Sequence, residues 1–390
     1  MLLGAFLHAK GFFQNIDGGS QAKLALKSAV TVSPPPPPNS TSAPPQPVPS
    51  SAVPTRTLGE YEEIPLDALL GGGIELQKWL EEYTKMYRKN IDSLGAFVPV
   101  HHKVVSQEVF NGISLTTVQF EYPQDSPLFG APAGGVLAVP EKIDPKNPIV
   151  VAIHGHEHSP WCQHPVDLFK KEKWPYELAR EGYIVWAPVS MCHEQVADLA
   201  QAAGGYPLVW TKIISDGLNY GKENIWGHLD HTGLVSVGLS SGGQVAYSLM
   251  AYRDDIEKGI FAGTNQDLDF LRREYTIKGH PDCWDVHGIG SFTAIQALLA
   301  PRPVQFQIGR RDPFFPNKKP MEPRADWFKG TTRGQLSSEV GGNALIVKNI
   351  YRQMDAEPNF SFLIHEGGHE FRSAEALDFL RKQTKPKEAN

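Results

Sequence analysis

The sequence predicts an α/β fold with a mostly parallel central sheet of about eight strands and helices on both faces. Three observations predict it. Short apolar runs recur along the chain at Ile149–Ile153, Tyr183–Val189, Leu234–Leu239, Gly259–Gly263, Val304–Ile308 and Phe360–Ile364. Segments long enough for helices separate them: Leu168–Arg180, Pro207–Tyr220, Ser241–Tyr252, Asn343–Met354 and Ala374–Gln383. The runs are nearly continuous rather than alternating, as in strands covered on both faces. A folded part of about 290 residues can bury roughly 75% of its unfolded surface, so one domain suffices.

Residues 1–56 read as a disordered, proline-rich arm. The apolar stretch Leu2–Leu7 has no basic residue before it and is soon interrupted by His8 and Lys10, which makes a poor secretory signal and favours a cytoplasmic location over export. From Ser28 to Thr55 there is no charge, and Pro34–Pro38, Pro44, Pro45, Pro47, Pro49 and Pro54 lie among Ser, Thr and Asn. Such a stretch cannot bury apolar surface and is expected as a polyproline-II-like tether, with a ligand for a proline-binding module as the other reading.

The folded domain is expected over 57–390. Leu70, Ile74, Leu76, Trp79, Leu80, Tyr83, Met86, Tyr87 and Ile91 approximate one apolar face of a helix between Leu69 and about Ser93, which should pack on the core. From about Val104 the pattern turns to β-rich runs, Thr116–Tyr122 and Gly135–Val139. Residues 265–299 are long for a simple connection and read as a small cap.

Composition excludes some functions. The 390 residues carry 37 Lys plus Arg against 43 Asp plus Glu, a net charge of −6, whereas a nucleic-acid binder would normally carry a basic excess. No uncharged apolar run approaches the roughly 18 residues that cross a bilayer. Three cysteines, Cys162, Cys192 and Cys283, lack the spacing of a disulfide framework or zinc ribbon. Cys162 and Cys192 follow neighbouring strands, so a disulfide and two buried thiols both fit.

The most informative string is Gly238-Leu239-Ser240-Ser241-Gly242, a G-x-S-x-G match. Alone it is weak, since three fixed positions recur by chance in about one chain of this length in eight. Its context is stronger: it joins an apolar strand to a helix-like run, where a sharp turn lifts Ser240 Oγ above the sheet at a helix N-terminus. A serine hydroxyl needs a histidine base and an acid to orient it. Asp312 follows the run Val304–Ile308, and His369 lies in the loop after Phe360–Ile364, giving the order Ser, Asp, His. Two backbone N–H groups would receive the oxyanion, that of Ser241 and that of His156 in the string His154-Gly155-His156 after Ile149–Ile153, with Glu157 as the next candidate for the second. Trp161, Trp210, Trp284, Phe314 and Phe315 fall after strands, where they suit either an aromatic substrate cleft, for which Trp161, Trp284 and Phe314 are the candidates, or ordinary packing.

The His154-Gly155-His156 loop, Gly238-Leu-Ser-Ser-Gly-Gly, Ala300-Pro-Arg-Pro before Gly309-Arg-Arg-Asp312, and Gly367-Gly-His-Glu-Phe together resemble an α/β-hydrolase of the dienelactone hydrolase and acetyl xylan esterase-like branch. The resemblance covers roughly Val104 to Leu380. It implies a serine hydrolase of small-molecule or carbohydrate esters that works through an acyl-enzyme and needs no cofactor or metal. Two departures matter: the nucleophile is serine, not the cysteine of true dienelactone hydrolases, and histidines crowd the oxyanion loop where relatives have glycines.

Other readings compete. A serine peptidase or amidase would share the triad, though relatives of that type follow the histidine with Gly and Phe, whereas Glu370 intervenes here before Phe371. His154, His156, His158, Cys162 and His164 lie close together as metal-ligating types. His365-Glu366-Gly367-Gly368-His369 matches H-E-x-x-H, which binds zinc when it lies on a helix. Two adjacent glycines after a β-rich run, each costing about 1 kcal/mol relative to alanine in a helix, make a loop the better expectation.

Overall fold

The structure, a computed structural model, describes residues 74–131, 133–155, 165–190, 196, 199–200, 205–264, 292–312 and 340–382. The proline-rich arm and most of the expected cap lie outside them.

Nine strands form one sheet: β1 His101–Phe110, β2 Ile113–Glu121, β3 Gly134–Pro140, β4 Ile149–Ile153, β5 Val185–Pro188, β6 Leu234–Leu239, β7 Ile256–Ala262, β8 Val304–Gly309 and β9 Phe360–His365. Their order is β1-β2-β3-β5-β4-β6-β7-β8-β9. The pairs from β1 through β3 to β5 are antiparallel, and those from β5 through β4 to β9 are parallel. Every residue of β4, β6 and β8 is buried, which is why these strands read as unbroken apolar runs. The fold class is therefore the expected one, with nine strands where the sequence suggested about eight.

The additional strand is β1. It forms a hairpin with β2 through Asn111 and Gly112, both at positive φ (48° and 82°), the left-handed pair that a tight two-residue turn requires. Almost all of β1 is exposed, so it carries no apolar periodicity to reveal it.

Helices cover both faces. On one lie α1 Ile74–Asp92, α4 Tyr206–Asn224, α5 Ser241–Tyr252, α6 Phe292–Ala297 and α7 Val340–Gln353; on the other lie α2 Pro165–Glu172, α3 Trp174–Arg180 and α8 Ser373–Arg381. The stripe Leu76, Leu80, Tyr83, Tyr87 and Ile91 buries α1 against the core. Tyr87 Oη donates to the Ser248 carbonyl at 3.2 Å and Arg88 Nη1 to Asp254 Oδ2 at 2.8 Å, which fix α1 to the body of the fold. The single helix expected over Leu168–Arg180 is two. Lys173 at φ 61° breaks it, and Pro175 in the first turn of α3 has no N–H to continue the earlier ladder.

The chain enters β4 in the middle of the sheet, places β5 on one side, and then crosses to place β6 on the other. In parallel sheets such a reversal of direction opens a crevice at the carboxyl ends of the strands. The ends of β4 and β6 meet there, with Ile153 paired to Gly238.

Candidate active site

Ser240 sits between the last residue of β6 and the first of α5, at φ 58° and ψ −128°. A non-glycine residue in that region stores about 1–3 kcal/mol, which the surroundings must hold in place. They do so by bonding and by close approach. The Ser240 N–H donates to the Ala262 carbonyl at 2.8 Å, while the N–H groups of Gly243 and Gln244 return to the Ser240 carbonyl at 2.9 and 3.3 Å. A Cβ at Gly242 would lie 2.0 Å from the His154 carbonyl oxygen, and one at Gly238 would lie 2.4 Å from that of Gly242. Only glycines let the first turn of α5 press against the end of β4. The buried Ser241 then stands in that first turn, where helix N–H groups have no intrahelical acceptor.

The loop after β4 runs beside the elbow. A Cβ at Gly155 would lie 3.3 Å from both Ser240 Cβ and the Leu239 carbonyl oxygen. His154 anchors this loop through both ring nitrogens: Nε2 accepts the Ser190 N–H at 3.1 Å, so Nδ1 carries the proton and donates to the Gly155 carbonyl at 2.7 Å. Its role is to tie the ends of β4 and β5 together around the elbow. His156, Glu157, His158, Trp161, Cys162, His164, Cys192, Cys283, Trp284, Phe314 and Phe315 lie outside the described residues. Trp210 does not line a cleft; it is 2% exposed within α4, in the main core.

Asp312 and His369 come from the loops after β8 and β9. Those loops are laced together: the Arg310 N–H donates to the His365 carbonyl at 2.8 Å, the Arg311 N–H to the Gly367 carbonyl at 3.0 Å, and Arg310 Nε meets Glu366 Oε1 at 2.8 Å. Within this lacing His369 Nδ1 donates to Asp312 Oδ2 at 2.7 Å. The Asp312 carboxylate is fully buried and the His369 side chain is 16% exposed, so the imidazole is oriented by a dry acceptor while its rim reaches the surface. The ring lies against Gly263, whose added Cβ would be 2.7 Å from His369 Cε1. Gly263 directly follows Ala262, the residue that holds the Ser240 N–H. The His369 ring and the Ser240 N–H thus adjoin consecutive residues at the end of β7, Gly263 and Ala262.

His365-Glu366-Gly367-Gly368-His369 is not helical. His365 closes β9 and the next four residues form a bent loop. The His365 side chain is buried, and its Nδ1 accepts the Gly367 N–H at 3.2 Å. Burial holds its pKa below the ordinary 6.5, against the opposing pull of Glu370. Among the described residues no group of three His, Cys, Asp or Glu side chains gathers to hold a metal ion.

Gln307 escaped sequence reasoning. Fully buried in β8, it accepts the Arg372 N–H at Oε1 (2.9 Å) and donates from Nε2 to the Arg372 carbonyl (3.2 Å), clamping the segment that follows His369. Its signal was present: two glutamines, Gln305 and Gln307, in an otherwise apolar buried run demand polar partners.

No family model matches the chain, and no curated protein is similar to it in sequence. Solved structures are similar in shape. A glucuronoyl esterase from Solibacter usitatus aligns at 12% identity and TM-score 0.55, covering 83% of this chain and 97% of that one. A candidate acetyl xylan esterase from Bacteroides fragilis aligns at 14% identity and TM-score 0.53, covering 79% and 88%. A methylesterase aligns at 15% identity and TM-score 0.55 over 81% of this chain, which spans only 65% of that protein. The likeness is one of architecture: the sheet order, the parallel core and the helices on both faces are those of the α/β-hydrolase fold.

Proposed function

We propose that this chain is a carboxylic ester hydrolase in which Ser240 is the nucleophile, His369 the general base and Asp312 the residue that orients it. The observation that carries the reading is the 2.7 Å bond from His369 Nδ1 to the buried Asp312 carboxylate, made where the ring lies against Gly263 beside the strained Ser240. In the mechanism, Asp312 keeps the proton on Nδ1, so Nε2 is the nitrogen that takes the Ser240 hydroxyl proton as Oγ attacks the acyl carbon. The resulting oxyanion is received by the Ser241 N–H at the start of α5, helped by the helix dipole, and by an N–H of the loop that continues from Gly155, with His156 first in line. His369 then returns the proton to the leaving alcohol. A water activated by the same nitrogen releases the acid and restores Ser240.

The similar structures include enzymes named for carbohydrate esters, which supports a small-molecule or carbohydrate ester as substrate. The amidase reading shares every group named above. A zinc peptidase draws no support from the geometry, because the two histidines of its motif do not share a helix face and His369 is committed to Asp312. A panel of p-nitrophenyl esters of increasing acyl length, acetylated sugars and matching anilides, with and without chelator, tests the reading. Ester turnover that exceeds anilide turnover and survives chelator is expected. Chelator-sensitive anilide or peptide cleavage would reject it.

A further inference from the structure

β1 bonds only to β2 among the described residues, none of which takes its outer edge. It is ten residues long and exposed on both faces, with Val104, Val105 and Val109 exposed by 48%, 54% and 76%. An open edge of this length and apolarity is a template for another strand.

The backbone groups on that edge follow from the register. The Phe120 N–H donates to the Ala133 carbonyl at 2.9 Å, on the β3 side. By alternation Ser114, Thr116 and Val118 also face β3, and Ile113, Leu115, Thr117, Gln119 and Glu121 face β1. Their partners in β1 are Phe110, Glu108, Ser106, Lys103 and His101, with Val105 the extra residue at the register shift. His102, Val104, Gln107 and Val109 therefore point their N–H and C=O outward.

This pattern is self-complementary. A twofold axis passing between Val105 and Ser106 sets Val104 opposite Gln107 of a second copy and His102 opposite Val109, so every outward residue meets an outward residue. Each such pair exchanges two N–H···O bonds. The same register places Lys103 directly across from Glu108 of the second copy, and Glu108 across from its Lys103. Lys103 has no ion pair among the described residues, and Glu108 meets only Lys170, at 2.6 Å, so its carboxylate retains acceptor capacity. Axes through Lys103 or Glu108 instead leave outward groups unmatched and oppose like charges, which is unfavourable. The extra residue Val105 lies at the axis, so the two bulges coincide rather than collide with regular ladder.

We propose that the chain forms a symmetric dimer through antiparallel pairing of β1 with β1 of a second copy, which continues the sheet across the axis. Sedimentation velocity on the full chain tests this with Lys103→Glu, Glu108→Lys and the double charge swap. Each single substitution opposes like charges twice and should weaken the dimer about thirtyfold, and the double swap should restore it. Amide exchange should show the N–H groups of His102, Val104, Gln107 and Val109 protected in the wild-type dimer and exposed in a Lys103→Glu variant that keeps its Tm. A monomer throughout, including one whose edge is taken by its own residues 1–73 or by a different protein, would overturn the proposal. So would a dimer that neither single substitution weakens.

Discussion

Replacing Gly263 with alanine puts a methyl group where the His369 ring already lies. The new Cβ would sit 2.7 Å from Cε1 and 2.9 Å from Nδ1. Carbon atoms come to rest about 3.5–4.0 Å apart, so the ring must retreat by about 1 Å. The backbone cannot yield instead, because the Gly263 N–H is bonded to the Gln307 carbonyl at 2.8 Å within the sheet. A retreat of that size either breaks the 2.7 Å bond to Asp312 or, in the proposed mechanism, carries Nε2 away from the Ser240 hydroxyl. Misplacement on that scale reduces kcat by about a hundredfold. Alanine at φ +57° also strains the backbone by about 1–2 kcal/mol, which lowers Tm by roughly 2–6 °C. Gly130→Ala separates the two effects, since Gly130 has φ +76° with nothing within 4 Å of an added Cβ. Steady-state hydrolysis of a p-nitrophenyl ester, read beside thermal melts, should show both variants similarly destabilised and only Gly263→Ala slow. Equal kcat in the two variants would refute the placement of His369 as the working base.

Other perturbations probe the remaining contacts. Asp312→Asn should keep the fold by circular dichroism and lose about 10⁴-fold in kcat, because the amide favours the wrong imidazole tautomer. His154→Leu leaves the buried Ser190 N–H without its acceptor, so denaturant unfolding should show a loss of about 1–3 kcal/mol. His365 predicts an acid limb of stability. Its folded pKa is lowered below 6.5 by burial, so the unfolded chain binds the proton more readily, and the stabilisation present above pH 6.5 is lost as pH falls toward the lowered value. His365→Asn, which retains an acceptor for the Gly367 N–H, should flatten the decline of Tm with acid in that window while leaving kcat at neutral pH within about tenfold.

The parts of the fold that were legible in the sequence share one physical cause. β4, β6 and β8 are buried on both faces, so their composition is forced, and the helix Ser241–Tyr252 begins and ends where the apolar run after the elbow does. The placing of Ser240, Asp312 and His369 after β6, β8 and β9 followed from the order in which a parallel sheet brings its carboxyl ends together. What escaped was decided by contacts distant in sequence. β1 is exposed and is a strand only because β2 pairs with it. The break before α3 is the exception, since Pro175 stands inside the expected helix and announces it locally. His154 read as part of a metal-like histidine cluster, whereas its two nitrogens serve backbone groups at the ends of β4 and β5. Gln307 was visible only as an anomaly, and its partner Arg372 lies 65 residues away.

If Ser240 is a nucleophile activated by the His369–Asp312 pair, covalent labelling reports it on the residue itself. The full chain is treated with a fluorophosphonate, and the adduct is counted by intact mass and located by peptide mapping. One phosphonyl group per chain is expected on Ser240, absent in Ser240→Ala and formed far more slowly in His369→Ala. No adduct on the folded protein, or an adduct on a different residue that survives Ser240→Ala, would contradict it.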